Sequence, residues 1–208
     1  MATERDPSKF HKLNVVDSCA IWNILSSKLL RTTAYSVGCS FCCTDFVYYE
    51  CLYKPRTKVK PEDVALQDLL RQQIQDGKFK TYHLDIEDLQ EIEVLQKRKN
   101  LGKGELASIA FAKKTYQAFL TDDRGARNLA EEVLTHHMVQ TTAHLLGWLF
   151  FESFLSDGDL NLIIDEHKEC NGKLEKYFFV MYHRALDYKS KQYFSHQIDS
   201  ADSVIDEK

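Results

Sequence analysis

The sequence predicts an α/β fold, with a parallel sheet of four to five strands and a helical C-terminal extension. Three observations carry this. Short β-branched or aromatic runs alternate with stretches of helical periodicity through the first 140 residues. Between the strand-like runs, apolar residues such as Val64, Leu66, Leu69, Leu70 and Ile74 recur at helical spacing. Strand–helix alternation calls for right-handed crossovers, and so for a parallel sheet.

The elements follow in order. "KLNVVDS" (12–18) is the first strand, ending at Asp17, and "CAIWNILSSKLLR" (19–31) reads as one helix. "AYSVGCSFCCT" (34–44) is the second strand, and "DFVYYECL" (45–52) starts a helix capped by Thr44 or Asp45. The basic turn "KPRTKVKPED" (54–63) holds Pro61, which suits a first helical turn. Val64, Leu66, Leu69, Leu70 and Ile74 have helical spacing, and Gly77 stops the run. "KFKTYHL" (78–84) is the third strand, and Ile86, Leu89, Ile92 and Leu95 mark the next helix. "GKGELASIAFAKK" (102–114) starts another helix with Glu105 near its beginning. "TYQAFLT" (115–121) is the fourth strand, "GARNLAEEVL" (125–134) a helix and "HMVQTT" (137–142) a short fifth strand. Beyond Ala143 the chain reads as helices broken near Gly158 and Gly172, with an acidic tail expected to lack order.

The 208 residues suit one domain, divided here into 1–170 and an extension over 171–208. A hydrophobic content of 44% allows a real core. The net charge of -4 argues against a strongly basic nucleic-acid binder but leaves room for a local basic patch. The longest apolar run, "LLGWLFF" (145–151), is far short of the ~20 residues of a membrane span. The N-terminus has no apolar signal core, so a cytoplasmic protein without a membrane partner is expected. Cys19, Cys39, Cys42, Cys43, Cys51 and Cys170 are then expected to be buried and reduced, because one CxxC without a second ligand pair is a weak zinc signal. "DGDLNLIIDEHK" (157–168) begins like a calcium loop but lacks its glycine and its final glutamate. His136, His137 and His144 lack zinc-helix spacing.

Ligands of parallel sheets gather beyond the carboxyl ends of the strands. Asp17 lies at such an end, as do Asp122 and Asp123 in "FLTDDRGARNLAEE" (119–132). Glu50 sits in the helix after the second strand, and Glu105 starts the helix before the fourth. Two carboxylates ~4 Å apart repel by about 4 kcal/mol at an effective dielectric near 20. A shared divalent cation removes that conflict, and carboxylate oxygens suit Mg²⁺ or Mn²⁺. Asp17 and Asp123 are equally placed to cap the helices that follow them.

The ordered motifs "VVDSCAIWNIL", "CTDFVYYECL", "LGKGELASIAFAKK" and "FLTDDRGARNLAEE" resemble the PIN-domain nucleases, nearest to the toxin ribonucleases of toxin–antitoxin pairs. The resemblance spans about residues 13–162 and implies a three-layer α/β/α domain. It implies metal-dependent hydrolysis of RNA, with Asp17, Glu50, Glu105 and Asp123 as catalytic metal ligands and Asp122 as a further candidate. Ser18 and Thr121 match hydroxyl residues that support such acids. The implied cofactor is Mg²⁺ or Mn²⁺, and the implied partners are RNA and an antitoxin or other regulatory protein. A DNA nuclease and a non-catalytic PIN-like binding module are the alternatives. An acidic cleft needs a basic rim to admit nucleic acid, and Lys54, Arg56, Lys58, Lys60, Lys103, Arg124 and Arg127 are its candidates. Arg127, one helical turn past Asp123, is equally suited to an ion pair. The tyrosines of "FVYYE" (46–50) suit either base stacking or the core. "NGKLEKYFFVMYHRALDYKSKQYF" (171–194) reads as an aromatic-rich amphipathic helix, for core packing or for a partner or homodimer surface.

Overall fold

The computed structural model describes residues 5–55 and 57–205, with side chains to Tyr193. Among them five strands form one all-parallel sheet: β1 (Leu13–Val16), β2 (Ser40–Thr44), β3 (Phe79–Tyr82), β4 (Ala118–Leu120) and β5 (Val139–Gln140). The helices are α1 (Ser18–Leu25), α2 (Lys28–Ser36), α3 (Asp45–Leu52), α4 (Pro61–Gln75), α5 (Ile86–Arg98), α6 (Lys103–Thr115), α7 (Arg124–Val133), α8 (Thr142–Phe151), α9 (Asp159–Glu169) and α10 (Glu175–Ile205). The strand order is β3-β2-β1-β4-β5, with Val15 beside both Cys42 and Phe119.

Alternation along each strand separates two cores, as the pleat requires. Val16, Phe41, Cys43 and Leu120 face one side, under α1 to α4 and α8 to α10. Val15, Cys42, Phe119 and Val139 face the other, under α5, α6 and α7. The architecture is therefore helix–sheet–helix in three layers. Cys42 and Cys39 belong to opposite cores, so the CxxC does not converge on a shared ligand. All six cysteines are free, and four are buried, but Cys19 is exposed and Cys170 half-buried. The expectation of six buried cysteines is corrected there, because position 19 lies in the outward first turn of α1.

Two sequence boundaries shift. Residues 19–31 are two helices, because Ser27 turns extended and its hydroxyl accepts the Leu30 N–H at 3.1 Å, capping α2. Residues 34–36 finish α2 rather than begin a strand, and Gly38 at φ +87° reverses the chain into β2. Gly77, at φ +69°, ends the α4 region as expected. Asp159 accepts the Ser156 N–H and hydroxyl at 2.7 and 2.8 Å, serving a helix start rather than an ion loop.

The C-terminal extension shares the first core. Phe178, Met181 and Ala185 of α10 are buried against α8 and α9. Gly147 allows this approach, since a Cβ there would stand 3.0 Å from the Met181 methyl and 3.2 Å from its carbonyl. α10 continues to Ile205, across most of the stretch expected to lack order. Among the described residues no helix is long and apolar enough to cross a membrane.

Candidate acidic site at the strand-order switch

The strand numbering runs one way from β1 through β2 to β3 and the other way from β4 to β5. Adjacent strands β1 and β4 therefore flank the point where the order reverses, the place where parallel sheets gather ligands beyond the strands' carboxyl ends. Asp17 follows β1, and Thr121, Asp122 and Asp123 follow β4. Their place is set by the register that seats Val16 beside Leu120.

Asp17 is 1% exposed. One oxygen caps α1 by accepting the Ala20 N–H at 2.8 Å, and the other accepts the Thr121 hydroxyl proton. The same Thr121 oxygen accepts the Asp123 N–H at 3.1 Å, so one buried hydroxyl joins the two strand ends. Asp123 caps α7 through the Ala126 N–H at 2.8 Å. Gly125 is needed beneath it, since a Cβ there would lie 2.9 Å from Asp123 Oδ1.

Asp122 is held differently. Its Oδ1 accepts the Thr142 N–H at 3.0 Å, and its Oδ2 accepts from Asn23 Nδ2 at 2.8 Å and the Thr142 hydroxyl at 2.6 Å. It ties the end of β4 to α1 and α8, so neither oxygen is idle. Asn23 and Thr142 escaped the sequence reading; an asparagine between Trp22 and Ile24 in an apolar helix was the available signal.

Glu50 and Glu105 meet at the loop opening α6. Glu105 accepts the Gly102 N–H at 2.8 Å, closing a capping arrangement on its own helix. A Cβ on Gly102 would stand 3.4 Å from Glu105 Oε2 and 4.0 Å from Glu50 Oε1. A Cβ on Gly104 would lie 2.4 Å from Glu50 Oε2, so the glycine lets the carboxylate lie against the helix start. Lys54, just past the end of α3, places its ammonium 3.9 Å from Glu50.

The acids share one field. Burial pushes the Asp17 carboxyl up to about 7; the bonds from Thr121 and Ala20 oppose this, and Asp122 and Glu105 add to it. Glu105 is raised by burial against its bond from Gly102, and then by Asp123 and Glu50. Asp122 is raised by burial, against its bonds from Thr142 and Asn23 and the nearby Arg127. The neighbouring Cys19 thiol is pushed up to about 12 by desolvation around the sulfur and then by Asp122, Asp17, Asp123 and Glu105. A thiol held so high is a poor nucleophile.

These are hard oxygen donors, the chemistry that suits Mg²⁺ or Mn²⁺. As they stand, among the described residues no three His, Cys, Asp or Glu side chains form a group ready to hold a metal. The reason is local: Asp17, Glu105 and Asp123 each direct an oxygen at a helix N-terminus.

Of the supporting hydroxyls, Thr121 acts as expected, whereas the Ser18 hydroxyl bonds to none of these acids. Among the basic candidates, Lys54 pairs with Glu50, Arg124 is exposed at the start of α7, and Lys103 is exposed with its ammonium 6.0 Å from the Phe46 ring centre. Arg127 is half-buried and acts on Asp122 through its field without an ion pair. Lys58 and Lys60 are exposed in the loop before α4 and touch none of the acids. Arg56 lies outside the described residues. Lys99, missed in the sequence, donates to the Gly125 carbonyl at 3.1 Å and so places a cation beside the Asp123 turn. Of "FVYYE", Val47 is buried and Phe46 and Tyr48 pack against the two cores, as the core reading expects, while Tyr49 is exposed.

No protein-family model matches the chain. No curated protein matches it either.

Proposed function

We propose that the protein is a metal-dependent nuclease of the PIN-like type, with RNA as its substrate class. One observation supports this above others: acids from separate elements come together near the strand-order switch, where burial and then Asp122 and Glu105 raise the Asp17 carboxyl, and burial and then Asp123 and Glu50 raise Glu105. Four such groups weaken a fold unless a cation or a substrate group compensates them.

In this reading Asp17, Glu50, Glu105 and Asp123 hold Mg²⁺ or Mn²⁺. The ion, when bound, supplies an activated water and neutralises charge on the phosphate. Thr121 fixes the Asp17 carboxylate from below and keeps the Asp123 backbone in step with it. Asp122 holds the β4 turn through Asn23 and Thr142, a positioning role. Lys99, Lys103 and Arg124 rim the acids and offer contacts to phosphates. A toxin or defence role, with a protein that restrains the activity, belongs to the same reading.

The test is incubation of the purified protein with mixed RNA and single-stranded DNA pools, with Mg²⁺, with Mn²⁺ and with EDTA. The expected result is RNA cleavage that EDTA abolishes and that Asp17→Asn lowers by about 10² or more, as expected for loss of one charged active-site group. Equal cleavage by Asp17→Asn would sink the site, and EDTA-resistant cleavage would sink the metal.

A second reading, a non-catalytic PIN-like module, is favoured by the helix-capping roles of Asp17, Glu105 and Asp123. It predicts no cleavage under any of these conditions and no Mn²⁺ heat signal by titration calorimetry.

A further inference from the structure

We propose that the outer face of α3 is a platform on which two successive bases of single-stranded RNA stack, one on Tyr49 and one on Tyr53. This deepens the nuclease reading, on which it rests for its substrate class.

The face follows from helical spacing. Asp45, Tyr49 and Tyr53 recur every fourth residue and form one row, and Phe46, Glu50 and Lys54 form the row beside it. Val47 and Cys51 turn the opposite side of the helix into the core. Tyr49 and Tyr53 are 52% and 58% exposed. Tyr53 is nevertheless braced: its hydroxyl lies 3.4 Å from that of Tyr48, the two rings are 5.6 Å apart, and Tyr48 packs against the core. A ring held before binding loses little freedom when a base covers it.

The surroundings select the occupant. Lys54 lies at the foot of the acid row, its ammonium 3.9 Å from Glu50. Lys103 stands at the head of that row, its ammonium 6.0 Å from the Phe46 ring centre. On the other flank Asp45 orients the exposed His83 imidazole, Oδ2 to Nδ1 at 2.7 Å. The chain leaving Tyr53 reads "KPRTKVK" (54–60), four cations and no acid, and Lys58 and Lys60 are exposed there. Aromatic rings interleaved with cations suit a single strand, whose bases stack while its phosphates meet the ammonium groups. One four-residue step separates the tyrosines by about 6 Å along the helix. That is wider than the roughly 3.4 Å between neighbouring bases of a duplex strand, so the platform takes unstacked bases. Glu50, beside the tyrosines, also lies against Gly104 at the start of α6, so a strand stacked on α3 passes next to the acids.

Fluorescence anisotropy with a labelled RNA of about ten nucleotides tests this in EDTA, where metal-dependent cleavage is silent. The wild type should bind the RNA more tightly than an abasic oligoribonucleotide with the same phosphates, and more tightly than the duplex form. Tyr49→Ala and Tyr53→Ala should each weaken RNA binding about 10-fold and leave the abasic strand unaffected. Tyr53→Phe, which keeps the ring, should bind like the wild type. Lys58→Glu with Lys60→Glu should weaken both strands and flatten the salt dependence. Equal binding of RNA and the abasic strand overturns the proposal, as do tyrosine variants that bind RNA like the wild type, or a wild type that binds none. Self-association that Tyr49→Ala abolishes would also overturn it, by giving the face to a second copy. The two readings fail separately. Tyrosine-dependent binding with no cleavage on adding Mn²⁺ upholds the platform and removes the nuclease; cleavage without tyrosine dependence does the reverse.

Discussion

Asp17 shows how a single residue joins stability to the site. Its folded carboxyl titrates near 7, against about 4 in an unfolded chain. A group raised in this way adds stability below its unfolded value and loses that contribution as pH rises through the folded one. Without divalent metal, the wild type should therefore lose stability between about pH 4 and pH 7 relative to Asp17→Asn. Asparagine still caps a helix, so the variant should be the more stable protein at pH 8 by urea titration. Asp122 should behave in the opposite way. Its three hydrogen bonds join β4, α1 and α8, and Asp122→Ala leaves Asn23 and Thr142 unpartnered. A loss of roughly 2–4 kcal/mol in the urea midpoint analysis is expected. The adjacent aspartates of "TDDR" thus divide the work, with Asp122 holding the turn and Asp123 left with one oxygen off its cap.

At the scale of elements, the turn between α9 and α10 is closed around a buried histidine. His167 is fully buried, and its Nε2 accepts the Leu174 N–H at 3.1 Å. Nδ1 must then carry the proton, which it directs at the Ser26 hydroxyl 2.6 Å away. Ser26 passes its own proton to the Asn23 carbonyl at 2.7 Å. A Cβ on Gly172 would fall 2.2 Å from the imidazole, so Gly172→Ala should expel the ring. Burial holds the His167 imidazole down to about 4, and the buried His144 likewise. Both stay neutral in the fold while the unfolded chain takes up protons below about 6.5. The two imidazoles therefore lower stability as pH drops from about 6.5 towards 4, by up to two protons, against the opposing gain from Asp17 over the same range. His167→Gln, which can still accept from Leu174, should make the slope of denaturation free energy with pH less steep by about one proton in that range.

For the whole molecule, the decisive property is the charge collected at one edge of the sheet. If the acids take a cation, 100-fold excess over its dissociation constant adds about 2.7 kcal/mol. For a chain of this size that raises the melting temperature by roughly 5–10 °C. Mn²⁺ against EDTA in a thermal-shift measurement gives this readout without any substrate. Gly104→Ala, which drives Glu50 from its seat, should reduce the Mn²⁺ response by about 10-fold in affinity.

Much of the fold was legible because its signals are short-range. β-Branched runs, Pro61 at a first turn and Gly77 at a stop act within a few residues, and the structure keeps each of them. The α1–α2 break was missed because apolar spacing continues across 19–31, while the break depends on one hydroxyl capping Leu30. Asp17, Asp122 and Asp123 at strand ends could be named from sequence, as could Glu50 and Glu105 on their helices. Asn23, Thr142 and Lys99 could not, since each meets the site from a distant part of the chain.

The sequence by itself determined the alternation of strand and helix, the parallel sheet and the identity of the acids, because periodicity and capping are local. Only the tertiary structure decided that β4 lies beside β1, so that Asp17 and the Asp122–Asp123 turn meet at the strand-order switch. It alone decided that Glu50 lies against Gly104 and that Asp122 is a tie. Those outcomes depend on which crossovers bury both faces of the sheet at once, a choice that no short stretch of the chain encodes.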